Sequence, residues 1–185
     1  MTLELAKKRA NNIIGSLAFG CQKIQVAGSI RREKSEVGDI EIVVIPKITI
    51  DKIQSGLGKF FDLPMTNEIN HLERRLNFMY KAEEFKFGKN GNKYKELIFP
   101  DFKVDLFIAN EQNFGLILMI RTGPANYSKN FMVELNRRGQ YKVKDGFLWK
   151  IQSENVYTKV NVPNETILYE TVGFHYLEPK ERYLV

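Results

Sequence analysis

Residues 28–44 read G-S-I-R-R-E-K-S-E-V-G-D-I-E-I-V-V. A small Gly28-Ser29 pair opens the stretch, a charged loop follows, and Gly38 closes it. Asp39 and Glu41 then flank a single isoleucine ahead of the apolar run Ile42-Val43-Val44-Ile45. On a strand, residues two apart point to the same face, so the two carboxylates stand together at the mouth of a buried segment. Ionised and uncompensated at the edge of a core, such a pair costs several kcal/mol. Salt bridges to Arg31, Arg32 or Lys34 would relieve it, and so would a divalent cation.

A third acid, Asp105, is embedded in the alternating segment Phe102-Lys103-Val104-Asp105-Leu106-Phe107-Ile108. With two histidines and one cysteine in the chain, three acids on adjacent strands favour a hard, oxygen-seeking ion such as Mg²⁺ over zinc. The Gly-Ser turn adds to this. Glycine lets a phosphate approach the backbone closely, serine supplies a hydroxyl donor, and Arg32 neutralises phosphate oxygens with its fork of N–H groups. A phosphate cradle followed within a dozen residues by a metal-binding pair is the equipment of nucleotidyl transfer.

The chain has 185 residues, of which 43% are hydrophobic and 12% aromatic. That is enough to fill the core of one domain, or of a small domain with an appended subdomain, and it argues against wholesale disorder. The apolar runs are too short to span a bilayer, and the first residues lack a signal peptide's apolar stretch. A single cysteine, Cys21, forms no internal disulfide and no CxxC motif. The expectation is a cytoplasmic or nucleoid-associated protein that is not secreted, makes no membrane contact and is monomeric. The net charge of +6 points weakly to a polyanionic partner. Between residues 121 and 150, seven bases (Arg121, Lys129, Arg137, Arg138, Lys142, Lys144, Lys150) face two acids (Glu134, Asp145). Such a patch neutralises phosphates in a salt-dependent way, or is simply a solvated basic helix face.

Apolar spacing predicts a helix over residues 3–18, a strand over 23–27 and a second strand over 39–45 stopped by Pro46. A short helix is expected over 50–57, a strand over 76–87, a hairpin turn at 88–92 with its partner strand over 93–99, and a strand over 102–108. Helices follow at 114–120, from Pro124 to about Arg138, and at 164–172, with a hairpin around Asp145-Gly146 between the last two. The change of texture near residue 110 divides the chain into segments 1–110 and 111–185. His71 and His175 read as packing or surface residues, Trp149 as core, and Cys21 as a buried small hydrophobe.

These residues resemble the DNA polymerase beta-like nucleotidyltransferase superfamily, and within it the family X DNA polymerases. Gly-Ser, nine residues and Asp-Ile-Glu are similar to the superfamily signature. Lys103-Val104-Asp105-Leu106 is similar to the strand of the third catalytic acid, and Thr122-Gly123 to the end of a Tyr-Phe-Thr-Gly motif. Residues 128–131 resemble the helix that follows, and residues 173–182 the closing Tyr-Arg-Glu-Pro-Lys-Arg segment. The resemblance covers nearly the whole chain and implies an α+β fold: a palm sheet with flanking helices over 1–110, and a small C-terminal subdomain that contacts nucleotide and DNA. The lyase and helix-hairpin-helix domains have no counterpart, as in the smallest viral relatives.

The resemblance further implies a magnesium-dependent DNA polymerase that adds dNMPs to a primer on gapped or primer-template DNA, in short-gap repair. Asp39, Glu41 and Asp105 would hold two Mg²⁺ ions, with Mn²⁺ as a substitute, and would be catalytic. Gly28, Ser29, Arg32, Gly38, Arg121, Thr122, Gly123 and Ser128 would bind the dNTP, and Lys129, Arg137, Arg138, Lys142 and Lys144 the DNA. This chain departs from the family pattern in four places. Glu41 replaces an aspartate, Val37 a phosphate-binding serine, Ile120-Arg121 an aromatic pair, and Met132 an arginine. The competing readings are a superfamily transferase acting on RNA, protein or a small molecule, and a non-catalytic DNA-binding module.

Overall fold

In the computed structural model, which describes residues 1–53 and 65–182, the chain begins with helix α1 (Leu3–Leu17), started by the Thr2 hydroxyl that accepts from the Leu5 amide. Its buried residues Ala6, Ala10, Ile13 and Leu17 recur at helical spacing. Strand β1 (Cys21–Val26) and the four-residue helix α2 (Gly28–Arg31) lead to β2 (Ile40–Pro46). Strands β3 (Ile48–Ile53) and β4 (Met65–Asn70) form a separate antiparallel ribbon ahead of helix α3 (His71–Lys81). Strands β5 (Lys86–Asn90), β6 (Tyr94–Ile98) and β7 (Lys103–Ile108) follow.

The main sheet runs β1-β2-β7-β6-β5. It is mixed: β2 and β7 are parallel and the other pairs antiparallel, in an α+β fold. Alternation along its strands divides two packing faces. Ile42, Val44, Leu97, Val104 and Leu106 pack with α1 and with Leu72, Leu76 and Met79 of α3. Val43, Ile45 and Phe107 lie on the other face against Phe114 and Leu118. These two come from α4 (Phe114–Thr122).

Beyond α4 come helix α5 (Ala125–Arg138), strands β8 (Tyr141–Lys144), β9 (Phe147–Ser153) and β10 (Val156–Val160), and helix α6 (Glu165–Val172). They enclose a core of their own around Leu116, Phe131, Leu135, Leu148 and Tyr169. Residue 110, where the texture of the sequence changes, lies between β7 and α4, and the Val43–Phe107–Phe114 cluster spans it.

Four expectations change. Residues 50–53 belong to β3, where β-branched side chains suit a paired ribbon; the remainder of the helix expected over 50–57 lies outside the described residues. Residues 76–81 are helical, because Leu72, Leu76 and Met79 form one buried stripe and the Asn70 side chain caps α3 by accepting from the Glu73 amide at 3.1 Å. Pro46 is the last residue of β2 rather than its stop. The hairpin around Gly146 gains a third strand, β10, a Val-Tyr-Thr-Lys-Val run to which the sequence reading assigns no element.

Candidate active site

Glu41 of β2 and Asp105 of β7 are register partners across the parallel pair. Their carboxylates therefore stand side by side on the sheet face opposite α1 and α3. Burial, and next the charge of Asp105, raise the Glu41 pKa to about 7; Arg32 and Arg121 pull it down, and Asp39 adds the smallest push. Asp39 is exposed and precedes the strand, which begins at Ile40, and its charge acts on Glu41 less than that of Asp105.

Gly28 shows why the turn needs glycine. Its φ is +60°, and a Cβ built there would strike the Glu41 carboxylate. The Ala27 amide also donates to the Glu41 carbonyl at 2.8 Å, which holds the turn against β2. Ser29 is half-buried beside it, and Gly38 is exposed next to Asp39. Val37 is buried in the main core, and its amide donates to the Met1 carbonyl at 2.9 Å. The side chain there supports packing and offers no donor.

The structure redistributes the arginines. Arg31, one of the counter-charges considered for the acid pair, turns away. It donates to the Thr122 hydroxyl at 2.6 Å and to Glu165 at 2.5 Å. Arg32 donates to the Thr122 carbonyl while its charge still acts on Glu41. Thr122 is fully buried, so its hydroxyl and carbonyl brace α4 against α2. Gly123 lies next to Ser128, whose hydroxyl donates to the Ile120 carbonyl at 2.8 Å and ties α5 to α4. Arg121 is exposed and lies over the Phe107 ring at 4.0 Å, and its charge lowers the Glu41 pKa.

Two neighbours escaped the sequence reading. The Tyr94 hydroxyl donates to Asp105 Oδ1 at 2.7 Å, and burial together with that bond pushes its pKa well above the phenol range. Glu96 is the register partner of Asp105 on its other side, 3.6 Å from the Lys103 ammonium. Period two along β6 places Tyr94 and Glu96 on one face, but their pairing with β7 is visible only once the sheet is assembled. Tyr94, Phe107, Asn113, Arg121, Asp145 and Phe147 are among the residues that line a cleft of about 490 Å³.

Of the expected DNA contacts, Lys129 and Lys144 are exposed. Arg137 and Arg138 both engage Glu134, at 2.6 and 2.9 Å, and their hydrogen bonds hold the Glu134 pKa down to about 2. Arg138 also donates to the Gly173 carbonyl at 2.9 Å, fixing the end of α6. Lys142 lies 3.0 Å over the Tyr157 ring. Trp149, read from sequence as core, is half-buried and lies outside the packed clusters, because the β9 residue that points inward is its neighbour Leu148. His71 shares a 2.8 Å hydrogen bond with the Thr49 hydroxyl, and burial raises the Cys21 thiol to about 11; both are packing residues.

The donor set fits a hard divalent cation. Glu41 and Asp105 adjoin across parallel strands, and Mg²⁺ is commonly held by one or two carboxylates plus substrate phosphates. Among the described residues, no group of three or more His, Cys, Asp and Glu side chains is placed to hold a metal ion. No family model matches the chain and no curated protein matches it significantly.

Proposed function

We propose that the chain is a template-directed DNA polymerase of the family X type, adding dNMPs to a primer 3′-hydroxyl in short gaps. One observation carries the reading: Glu41 and Asp105 are side by side on parallel strands, directly under the left-handed glycine turn at Gly28. The signature Gly-Ser…Asp-Ile-Glu supports it, and so does the charge balance of two carboxylates with Arg32 and Arg121 close enough to act on them. Two Mg²⁺ ions held by Glu41, Asp105 and Asp39 would supply a lowered hydroxyl pKa and charge neutralisation on the triphosphate.

The chain's own residues do the rest. Asp105 is positioned to take the primer hydroxyl proton, and the Tyr94 hydroxyl keeps its Oδ1 oriented. Gly28, Ser29 and the Gly38 backbone border the place where the β- and γ-phosphates would lie, with Arg32 and Arg121 as countercharge. With Thr122 buried in the α2–α4 brace, an incoming sugar meets the Gly123 backbone instead of the threonine hydroxyl. Lys129, Lys142 and Lys144 supply phosphate contacts on the DNA side.

The test is gap filling. The protein, Mg²⁺, dNTPs and a one-nucleotide-gapped duplex should yield the templated base, and Asp105→Asn should lower turnover at least about a hundredfold while leaving DNA binding intact. No incorporation on any primer overturns the reading. Equal transfer without template, or onto an RNA, protein or small-molecule acceptor, replaces it with a different superfamily transferase.

A further inference from the structure

The outer face of the C-terminal sheet joins Lys142 and Lys144 to aromatic rings that the polymerase reading leaves without a role. Strands β8, β9 and β10 carry four lysines and no acid. Leu148 on β9 points into the core, so Phe147, Trp149 and Ile151 project from the opposite face. Register sets Lys142 and Lys159 on either side of Trp149 and Tyr157 beside Ile151. Three aromatic rings therefore interleave with three lysines, Lys142, Lys144 and Lys159, on one solvent-facing surface.

Contacts within the face agree with this register. The Lys159 ammonium lies 4.0 Å from the Phe147 ring and 5.3 Å from Trp149, and Lys142 lies 3.0 Å from Tyr157. An exposed cation–π contact is weaker than base–aromatic stacking. A lysine is long enough to lift from a ring to a phosphate, leaving the ring to a base. Phe147 and Trp149, two residues apart on one strand, are about 6.8 Å apart along it. That is twice the 3.4 Å step of a duplex strand, a spacing for an extended, unstacked strand. Phe147 also lines the cleft that holds Tyr94, Phe107 and Arg121, so the face runs out of the cleft beside Asp105.

We infer that this face binds an unpaired DNA strand, its bases stacking on Trp149, Phe147 and Tyr157 and its phosphates drawn to Lys142, Lys144 and Lys159. That the strand is the template leaving the active site rests on the polymerase reading; binding itself does not. Positive charge on strands without acids selects a polyanion, and rings that face outward, two half-buried and Tyr157 exposed, select one whose bases are free to stack.

Trp149 is the one tryptophan of the chain, so its fluorescence reports the contact directly. Titrating the full-length protein with a fifteen-nucleotide oligo(dT) should quench the emission saturably, and a blunt duplex of the same length should quench it much less. Dextran sulfate, a polyanion without bases, should compete without quenching. Trp149→Ala should weaken oligo(dT) binding, followed by anisotropy of labelled DNA, at least about fivefold, whereas Trp149→Phe should retain it. Lys142→Gln with Lys159→Gln keeps every ring and should reduce the salt slope by about 1.4. Equal quenching by duplex or by dextran sulfate, or oligo(dT) affinity unchanged in both the alanine and the double-glutamine variants, overturns the inference. Gap filling without oligo(dT) quenching sinks this inference alone, and quenching retained without gap filling sinks the polymerase reading alone.

Discussion

Gly28 and Glu41 occupy adjoining space, and neither residue is intelligible without the other. Glycine at position 28 allows both the left-handed backbone and the close approach of the Glu41 carboxylate, which any side chain there would meet. Val37 is explained in the same way: it is buried at 2% exposure among core residues, where a serine hydroxyl would need a partner. A pH effect follows at this scale. Glu41 titrates near 7 in the folded chain against an ordinary 4.5, so the native state holds an extra proton between those values. Its contribution to stability is therefore lost as pH rises through that window. Glu41→Gln, neutral throughout, should flatten the decline and be more stable than the parent at pH 8 by on the order of 2 kcal/mol, measured by urea unfolding without divalent metal. Parallel pH profiles for the two proteins would refute the assignment.

At the scale of elements, α3 shows how a short apolar pattern misleads. In residues 76–80 four of five side chains, Leu76, Phe78, Met79 and Tyr80, are apolar or aromatic, a dense short run that reads as a strand when the window is short. The signal that decides for a helix lies upstream, in the Asn70 cap and the Leu72–Leu76–Met79 stripe. The two readings differ measurably. A strand would point Leu76 and Phe78 to one face, whereas the helix buries Leu76 fully and leaves Phe78 62% exposed. Leu76→Ala should cost about 2–5 kcal/mol and Phe78→Ala under about 1 kcal/mol in chemical denaturation; equal losses would favour the strand. The β8–β10 sheet teaches the converse. Its hairpin turn was legible at Asp145-Gly146, but the facing of Trp149 was not, because a half-buried tryptophan and a core one look alike in sequence.

Across the whole molecule, the N-terminal sheet and the C-terminal subdomain are joined by a buried ionic cluster. Glu165 of α6, 4% exposed, accepts from Arg31 of α2 and, at 2.8 Å, from the fully buried Arg182. α2, α6 and the C-terminal segment thus meet at one carboxylate, and α4 joins them through the bond from Arg31 to the buried Thr122. Removing that carboxylate leaves two cations without their partner: Glu165→Ala should destabilise the chain by about 3–5 kcal/mol, read from the denaturation midpoint, and a loss under 1 kcal/mol would show that the cluster is not a brace. The sequence by itself determined the acids, the glycine turn, the long helices and the α+β class, because periodicity and turn chemistry are local properties of the chain. Tertiary structure alone decided that Arg31 braces Glu165 instead of serving the acids, that Tyr94 holds Asp105, and that Trp149 faces outward. Those partners come from distant strands and helices, and their pairing is fixed by sheet order and register, which no local pattern encodes.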